Sequence, residues 1–130
     1  MRAALLILLG LVIGVLGTTQ VMNALAARRD PMPKAVMHTL GFHMHDLKQA
    51  MKSQQCDAAK IRQQLAHLQS TATDIVPVFG NDDPGFNSDA TRLQTALQQA
   101  VDAAPATCAA LATALKPVGE ACEDCHRKYR

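Results

Sequence analysis

Three side chains near the end of the chain, Cys122, Cys125 and His126, have types and spacing that suit joint chemistry. Two thiols three residues apart on a helix share one face and can add across the two vinyl groups of a haem. The imidazole that follows directly is then placed to bind the iron as its proximal ligand. The run Cys-Glu-Asp-Cys-His therefore predicts one covalently attached c-type haem, with His126 as an iron ligand.

Two other uses of a Cys-x-x-Cys pair compete with this interpretation. A zinc site needs a second pair of ligands, whereas the remaining cysteines, Cys56 and Cys108, stand far apart in the sequence. A thioredoxin-like redox motif needs a βαβ context, and no part of this sequence has the periodicity of a strand. Haem attachment is therefore the favoured interpretation.

The composition indicates the kind of fold that must position these residues. The 130-residue chain is only 3% aromatic, contains no Trp, and is rich in Ala, Leu and Gln. Such a composition favours helices packed through small and aliphatic side chains, to which a large prosthetic group would add apolar bulk. The net charge of +2, without a basic block, gives no electrostatic footprint for nucleic-acid binding.

Four amphipathic stretches follow Arg29, and each predicts a helix because its apolar positions recur every three or four residues. Four such stretches with short connections predict an all-α, antiparallel four-helix bundle over residues 31–130. The predicted apolar stripes are Met37, Leu40, Met44, Leu47 and Met51, then Ile61, Leu65, Leu68, Ala72 and Ile75, then Leu93, Leu97 and Ala100, and finally Leu111, Leu115, Val118, Cys122, Cys125 and Tyr129.

Turn chemistry predicts where these helices begin and end. Asp57 is expected to be the N-cap of the second helix, which should end near Pro77. Residues 80–85, Gly-Asn-Asp-Asp-Pro-Gly, are expected to form a loop. Asn87 or Ser88 would then cap the third helix.

Residues 3–27 form an uncharged segment that allows two interpretations. As a signal peptide, it has a basic start at Arg2, an apolar stretch and a small-residue cleavage site at residues 24–26. As an uncleaved anchor, its 25 residues would form a helix of about 37 Å, longer than a bilayer core of about 30 Å. Either interpretation makes residues 1–27 a signal peptide or inner-membrane anchor and places the remainder of the chain in the periplasm.

The last twelve residues, Gly-Glu-Ala-Cys-Glu-Asp-Cys-His-Arg-Lys-Tyr-Arg, resemble the end of the cytochromes c′ and their low-spin relatives, the class II cytochromes c. The resemblance extends over residues from about 33 to 130 and is strongest on the fourth helix. It implies a four-helix bundle whose last helix carries the haem motif, followed by an aromatic residue and an arginine. Tyr129 and Arg130 are therefore expected in the haem pocket.

The resemblance also implies that the first helix lays one side chain over the distal face of the haem. In this sequence that position matches Met37, with Leu40 and Gly41 beside it in the haem pocket. A thioether there would give a six-coordinate, low-spin iron with a raised potential. The alternatives are that Met37 is a core methionine over a five-coordinate iron, or that the adjacent His38 is the sixth ligand.

Cys56 and Cys108 allow a further hypothesis. Cys56 falls in the first connection between helices and Cys108 just after the third, and these lie at the same end of an up-down-up-down bundle. In an oxidising compartment the two thiols could form a disulfide. The alternative is two unpaired, small core residues.

Two functions stay open for such a protein. With His126 and Met37 as axial ligands, the single haem would transfer one electron between redox partner proteins outside the cytoplasm. If Met37 does not bind iron, a small apolar pocket lined by Met37, Leu40 and Gly41 would admit nitric oxide or carbon monoxide. The sequence has no paired carboxylates and no nucleophile–base set, so an enzyme is not expected. A membrane tether and a homodimer also remain open.

Overall fold

The computed structural model describes the backbone of residues 2–27, 31–80 and 82–130, with the side chains of these ranges except at residues 2–6, 8, 9 and 23–27. The chain divides into two compact units, Met1–Pro31 and Met32–Arg130. All regular secondary structure in the described ranges is helical, and they contain no strand. The all-α prediction is confirmed to that extent.

The first unit holds a single helix, α1 (Arg2–Ala27). Its described side chains are exposed, including Ile7, Leu11 and Met22. None of the helices in the described ranges combines the length and the hydropathy of a membrane span. The side chains of the expected cleavage site at residues 24–26 lie outside the described part of the chain.

The described residues of the second unit form four long helices and one short one. They are α2 (Met32–Lys52), α3 (Ala58–Ala72), the short α4 (Ile75–Phe79), α5 (Pro84–Asp102) and α6 (Cys108–Tyr129). The α5 helix packs against α3 and α6, and α2 packs against α3, α4 and α6. Their apolar faces share one core of buried side chains.

The helix starts show one confirmed cap and one correction. The carboxylate of Asp57 accepts a hydrogen bond from the Lys60 backbone N–H at 2.8 Å, as expected for the N-cap of α3. The α5 helix, in contrast, starts at Pro84, so the predictions of a loop through Gly85 and of a cap at Asn87 or Ser88 were wrong. Asp83 is the cap, because its carboxylate accepts from the Gly85 N–H at 2.9 Å, and the fixed φ of proline suits the first helical position.

The second predicted stripe is divided between two helices. Its members Ile61, Leu65, Leu68, Ala72 and Ile75 are all buried, as predicted, but α3 ends at Ala72 and a new helix begins at Ile75. Pro77 explains the break, because proline has no N–H to donate to the carbonyl of Thr73, and its ring crowds that carbonyl. The short α4 ends at Phe79, and the next residue, Gly80, is its C-cap with a left-handed φ of 54°.

The apolar stripe of α2 differs from the other three. In the stripes of α5 and α6, the Leu, Val and Ala positions are buried as predicted, whereas in the α2 stripe only Leu47 is fully buried. The other predicted members are half-buried, and Val36, which was not predicted, joins the core. Three of these half-buried side chains, Met37, Leu40 and Met44, pack against the core and also line a cavity.

A disulfide joins Cys56, between α2 and α3, to Cys108, the first residue of α6. Its Cα atoms are 5.3 Å apart, within the ordinary range of about 4.4–6.8 Å for disulfides. The side chain of Thr107, which precedes Cys108, accepts from the Ala110 backbone N–H at 3.2 Å and caps α6. The start of α6 is therefore held both by its own cap and by a covalent bond to the α2–α3 connection.

Candidate functional site

The Cys-x-x-Cys-His run lies in the last two turns of α6. Cys122 and Cys125 are half-buried and are not bonded to one another. Both line a large cavity of the second unit, together with His126 from the same helix. A helical repeat of 3.6 residues accounts for this, because side chains three apart point to the same face. The two thiols and the imidazole are therefore presented to one space.

This cavity, called the main cavity below, is defined by its apolar lining. Together with its opening to solvent, its empty space comes to about 790 Å³. Its apolar wall is contributed by α2 to α5 and consists of Met37, Leu40, Met44, Leu68, Ile75, Ala90, Leu93 and Leu97.

The structure brings the predicted distal residues to this same cavity. Met37, Leu40 and Gly41, all on α2, line it together with His126 on α6. A Cβ atom added at Gly41 would meet no other atom within 4 Å, so the backbone there borders open space. A sulfur donor and an imidazole on two different helices thus share one apolar space.

A second, more open cavity holds the remaining predicted residues. Tyr129 and Arg130 line it with Lys34 and His38 from α2, and Met37 and His126 border both cavities. His38 is exposed, whereas Met37 next to it is half-buried. The two cationic side chains, Lys34 and Arg130, give this opening a basic rim.

The environment of the two thiols holds them in their protonated form. Burial raises the pKa of Cys122 above its ordinary value, and the neighbouring Cys125 and Glu123 raise it further, against the opposing charge of Lys48. Burial also raises the pKa of Cys125, followed by the negative charge of Asp89. Redox-active Cys-x-x-Cys pairs show the opposite shift, because their attacking cysteine needs a lowered pKa. The raised pKa of both thiols therefore does not favour thiol–disulfide exchange.

An ionic network at the same end of α6 escaped the sequence analysis. Lys128 Nζ donates to Asp89 Oδ2 at 2.8 Å, which links α6 to α5. Asp124 accepts from both Arg92 and Arg127, and the hydrogen bond from Arg92 is the main cause of its lowered pKa. The burial of Asp89 could have been predicted from its position in the sequence. It stands four residues before Leu93, a spacing that places both side chains on the same, buried face of α5.

Tyr129 closes the end of the second cavity through a hydrogen bond and a ring contact. Its ring meets Phe86 edge-on at a centroid distance of 5.2 Å, and its hydroxyl donates to Asp83 Oδ2 at 3.1 Å. Loss of solvent around the phenol, followed by the Asp83 carboxylate, raises its pKa. A Cβ at Gly85 would lie 2.9 Å from the Tyr129 hydroxyl oxygen, so glycine makes this close approach possible. The end of α6 is thereby held against the start of α5.

The carboxylate of Asp83 accepts two hydrogen bonds, from the Gly85 N–H and from the Tyr129 hydroxyl. Variants that remove both bonds or only one should therefore differ in stability. Asp83→Ala should lower the free energy of unfolding by about 1–2 kcal/mol, because it removes the α5 cap and the acceptor for Tyr129. Tyr129→Phe removes only the second contact and should lower the free energy of unfolding by less than Asp83→Ala does. Urea unfolding monitored by circular dichroism measures both, with Asp82→Ala as the control, since Asp82 is exposed. Equal losses for Asp82→Ala and Asp83→Ala would contradict this account of the cap.

Comparison with known proteins adds one finding. A family model described as Cytochrome C' matches residues 81–130, which comprise α5, α6 and the thiol and imidazole side chains of the site. Searches of curated proteins and of solved structures return no significant match.

Proposed function

The family match supports the assignment of this chain to the cytochromes c′, or class II cytochromes c, and on that premise we propose that it carries one covalently bound haem c. The family implies the cofactor, and the geometry of the cavity supports its mode of attachment. Cys122 and Cys125 would hold the haem through thioether bonds, and His126 would bind its iron. We also propose that α2, α3, α5 and α6 form an antiparallel four-helix bundle.

The residues of the main cavity fit such a group on three counts. The cavity wall is almost wholly apolar, as a porphyrin face requires. Two unbonded thiols border it, and addition to vinyl groups needs cysteines in this reduced form. A nitrogen and a sulfur ligand, His126 and Met37, also line it, and both are ordinary axial ligands of haem iron.

We propose that the protein transfers single electrons between redox partner proteins. When bound, the haem supplies a one-electron couple between ferric and ferrous iron. His126 and Met37 would hold the iron from α6 and α2, and the apolar wall would exclude water from it. The observation that carries this proposal is that Met37 and His126 line the same cavity from different helices. No substrate-transforming group is needed for this role, so we propose that the protein is not an enzyme.

The second candidate function is the binding of a diatomic gas. Gly41 borders the cavity with no atom within 4 Å of where its Cβ would stand, so space for a small ligand exists near Met37. If Met37 leaves the iron free, nitric oxide or carbon monoxide would enter between Met37, Leu40 and Gly41. This alternative uses the same attachment by Cys122, Cys125 and His126.

The absorption spectrum of the reduced protein, with and without carbon monoxide, distinguishes the two. For electron transfer we expect sharp low-spin bands that the gas leaves unchanged. Met37→Ala should convert them to bands that shift with carbon monoxide, because the sixth position is then open. Met44→Ala is the matched control, since Met44 lines the same cavity. High-spin bands that shift with carbon monoxide in the unaltered protein would favour gas binding.

We further propose that the second unit acts in the periplasm and that the N-terminal segment of the chain, residues 3–27, directs its export. Attachment of haem c takes place outside the cytoplasm, and a structural disulfide such as Cys56–Cys108 persists in oxidising compartments. Intact mass of the protein from fractionated cells tests this proposal and shows whether residues 1–26 are removed. Recovery in the cytoplasmic fraction without haem would contradict it.

A further inference from the structure

Asp89 is the one charged side chain that is buried among the residues whose side chains are described. It occupies the inner face of α5, where Leu93, Ala96 and Ala100 continue the same row at spacings of four, three and four residues. An apolar residue would be expected there, because removing a carboxylate from water is costly. The burial of Asp89 therefore indicates a role in the site on that side of α5.

Asp89 is one of the residues that line the main cavity, as are the thiols and the imidazole of α6. Asp89 lines that cavity together with Cys125 and His126. The negatively charged residue Asp89 therefore shares the cavity with the residues of α6 that would bind haem.

The partner of Asp89 lies further toward solvent. Lys128 donates to Asp89 Oδ2 at 2.8 Å, but its side chain is 55% exposed, against 10% for that of Asp89. Lys128 does not line the main cavity, whereas Asp89 does. The pair therefore turns its negative end inward and its positive end toward water, which screens the lysine more strongly than the carboxylate.

We propose that Asp89 lowers the reduction potential of the haem site, an inference that rests on the proposed function. A buried negative charge beside the iron stabilises the ferric form, which carries one more positive charge than the ferrous form. Lys128 offsets part of the cost of burying the carboxylate and holds it in place. Asp89 acts here through its charge and does not bind iron.

The test compares the midpoint potentials of haem-loaded variants at one pH and ionic strength. Asp89→Asn keeps the shape and can still accept a hydrogen bond from Lys128, but it removes the charge. We expect it to raise the ferrous-to-ferric ratio at a fixed ambient potential about tenfold, which is about 59 mV for a one-electron couple. Asp89→Glu keeps the charge and should stay within about twofold of the unaltered protein, about 18 mV on the same scale.

Asp124→Asn is the matched control. Asp124 also lies within the last turns of α6 and forms two ion pairs, but its side chain is 31% exposed and does not line the main cavity. Its removal should change the ratio less than twofold, because water screens it. Thermal unfolding of each variant reports any structural loss separately.

Different results would overturn the haem-binding function and the role of Asp89. An unaltered protein without covalently bound haem, seen by intact mass, would overturn the proposed function itself. A loaded protein in which Asp89→Asn leaves the potential unchanged would overturn the inference about Asp89 alone. The inference would also be overturned if Asp89→Asn and Asp89→Glu shifted the midpoint potential equally. Such a result would show that the shape of the side chain matters and its charge does not.

Discussion

Cys122→Ala combined with Cys125→Ala is expected to abolish covalent haem attachment. Each thiol would contribute one thioether bond, and no other free cysteine occurs among the described residues to replace them. The intact mass under denaturing conditions should then equal that of the polypeptide alone. A haem stain of a denaturing gel should likewise be negative for the double variant.

Single variants and a matched control sharpen this prediction. Cys122→Ala or Cys125→Ala alone leaves one thiol at the cavity, so a haem held by a single bond is expected at reduced yield. Cys56→Ala with Cys108→Ala also removes two cysteines, but these are bonded to one another and do not line the main cavity. That control should keep its covalent haem. Haem that survives denaturation in the Cys122 and Cys125 double variant would contradict the proposed attachment.

Removing the disulfide is expected to have the largest effect on stability. Cys56 and Cys108 are separated by 52 residues, and closing a loop of that length restricts the unfolded chain. The chain-entropy relation then gives a stabilisation of about 4 kcal/mol. Cys56→Ala with Cys108→Ala should lower the free energy of unfolding by about that amount, which is a large fraction of the total for a small domain.

Urea unfolding of the apo-protein measures this loss, and a reductant provides an internal check. The unaltered protein with dithiothreitol should move toward the double variant, whereas the double variant should not respond to the reductant. Cys122→Ala serves as the control variant, because its thiol is unbonded and half-buried. Equal stabilities for oxidised protein and double variant would show that the disulfide adds nothing to the fold.

Periodicity predicted the helices well where side chains pack against side chains. The buried rows of α3, α5 and α6 follow the predicted spacing because a helix facing a filled core needs an apolar residue every three or four positions. The row on α2 was predicted with equal regularity, yet Met37 and Met44 are only half-buried because they face a cavity. Apolar periodicity cannot distinguish a filled core from an apolar space.

The features that sequence reasoning missed depend on single side-chain contacts. Asp83 caps α5 through one carboxylate, and the sequence around it offered several residues with the same capping ability. Asp89 was overlooked because an isolated carboxylate on a mostly polar helix predicts a solvated position. Only the packing of α5 against α6, where Lys128 meets it, makes that position buried.

The position of the Cys56–Cys108 bond bears on how the protein would be matured. Cys56 and Cys108 are oxidised to a disulfide, whereas the proposed attachment would need Cys122 and Cys125 to stay reduced until haem arrives. Cys108 and Cys122 stand fourteen residues apart on the continuous helix α6, about 21 Å at 1.5 Å per residue. A disulfide cannot span that distance, so a chain that folds before haem attachment cannot scramble these two thiols. Early formation of α6 would thus protect the haem-binding pair from mispairing with Cys108.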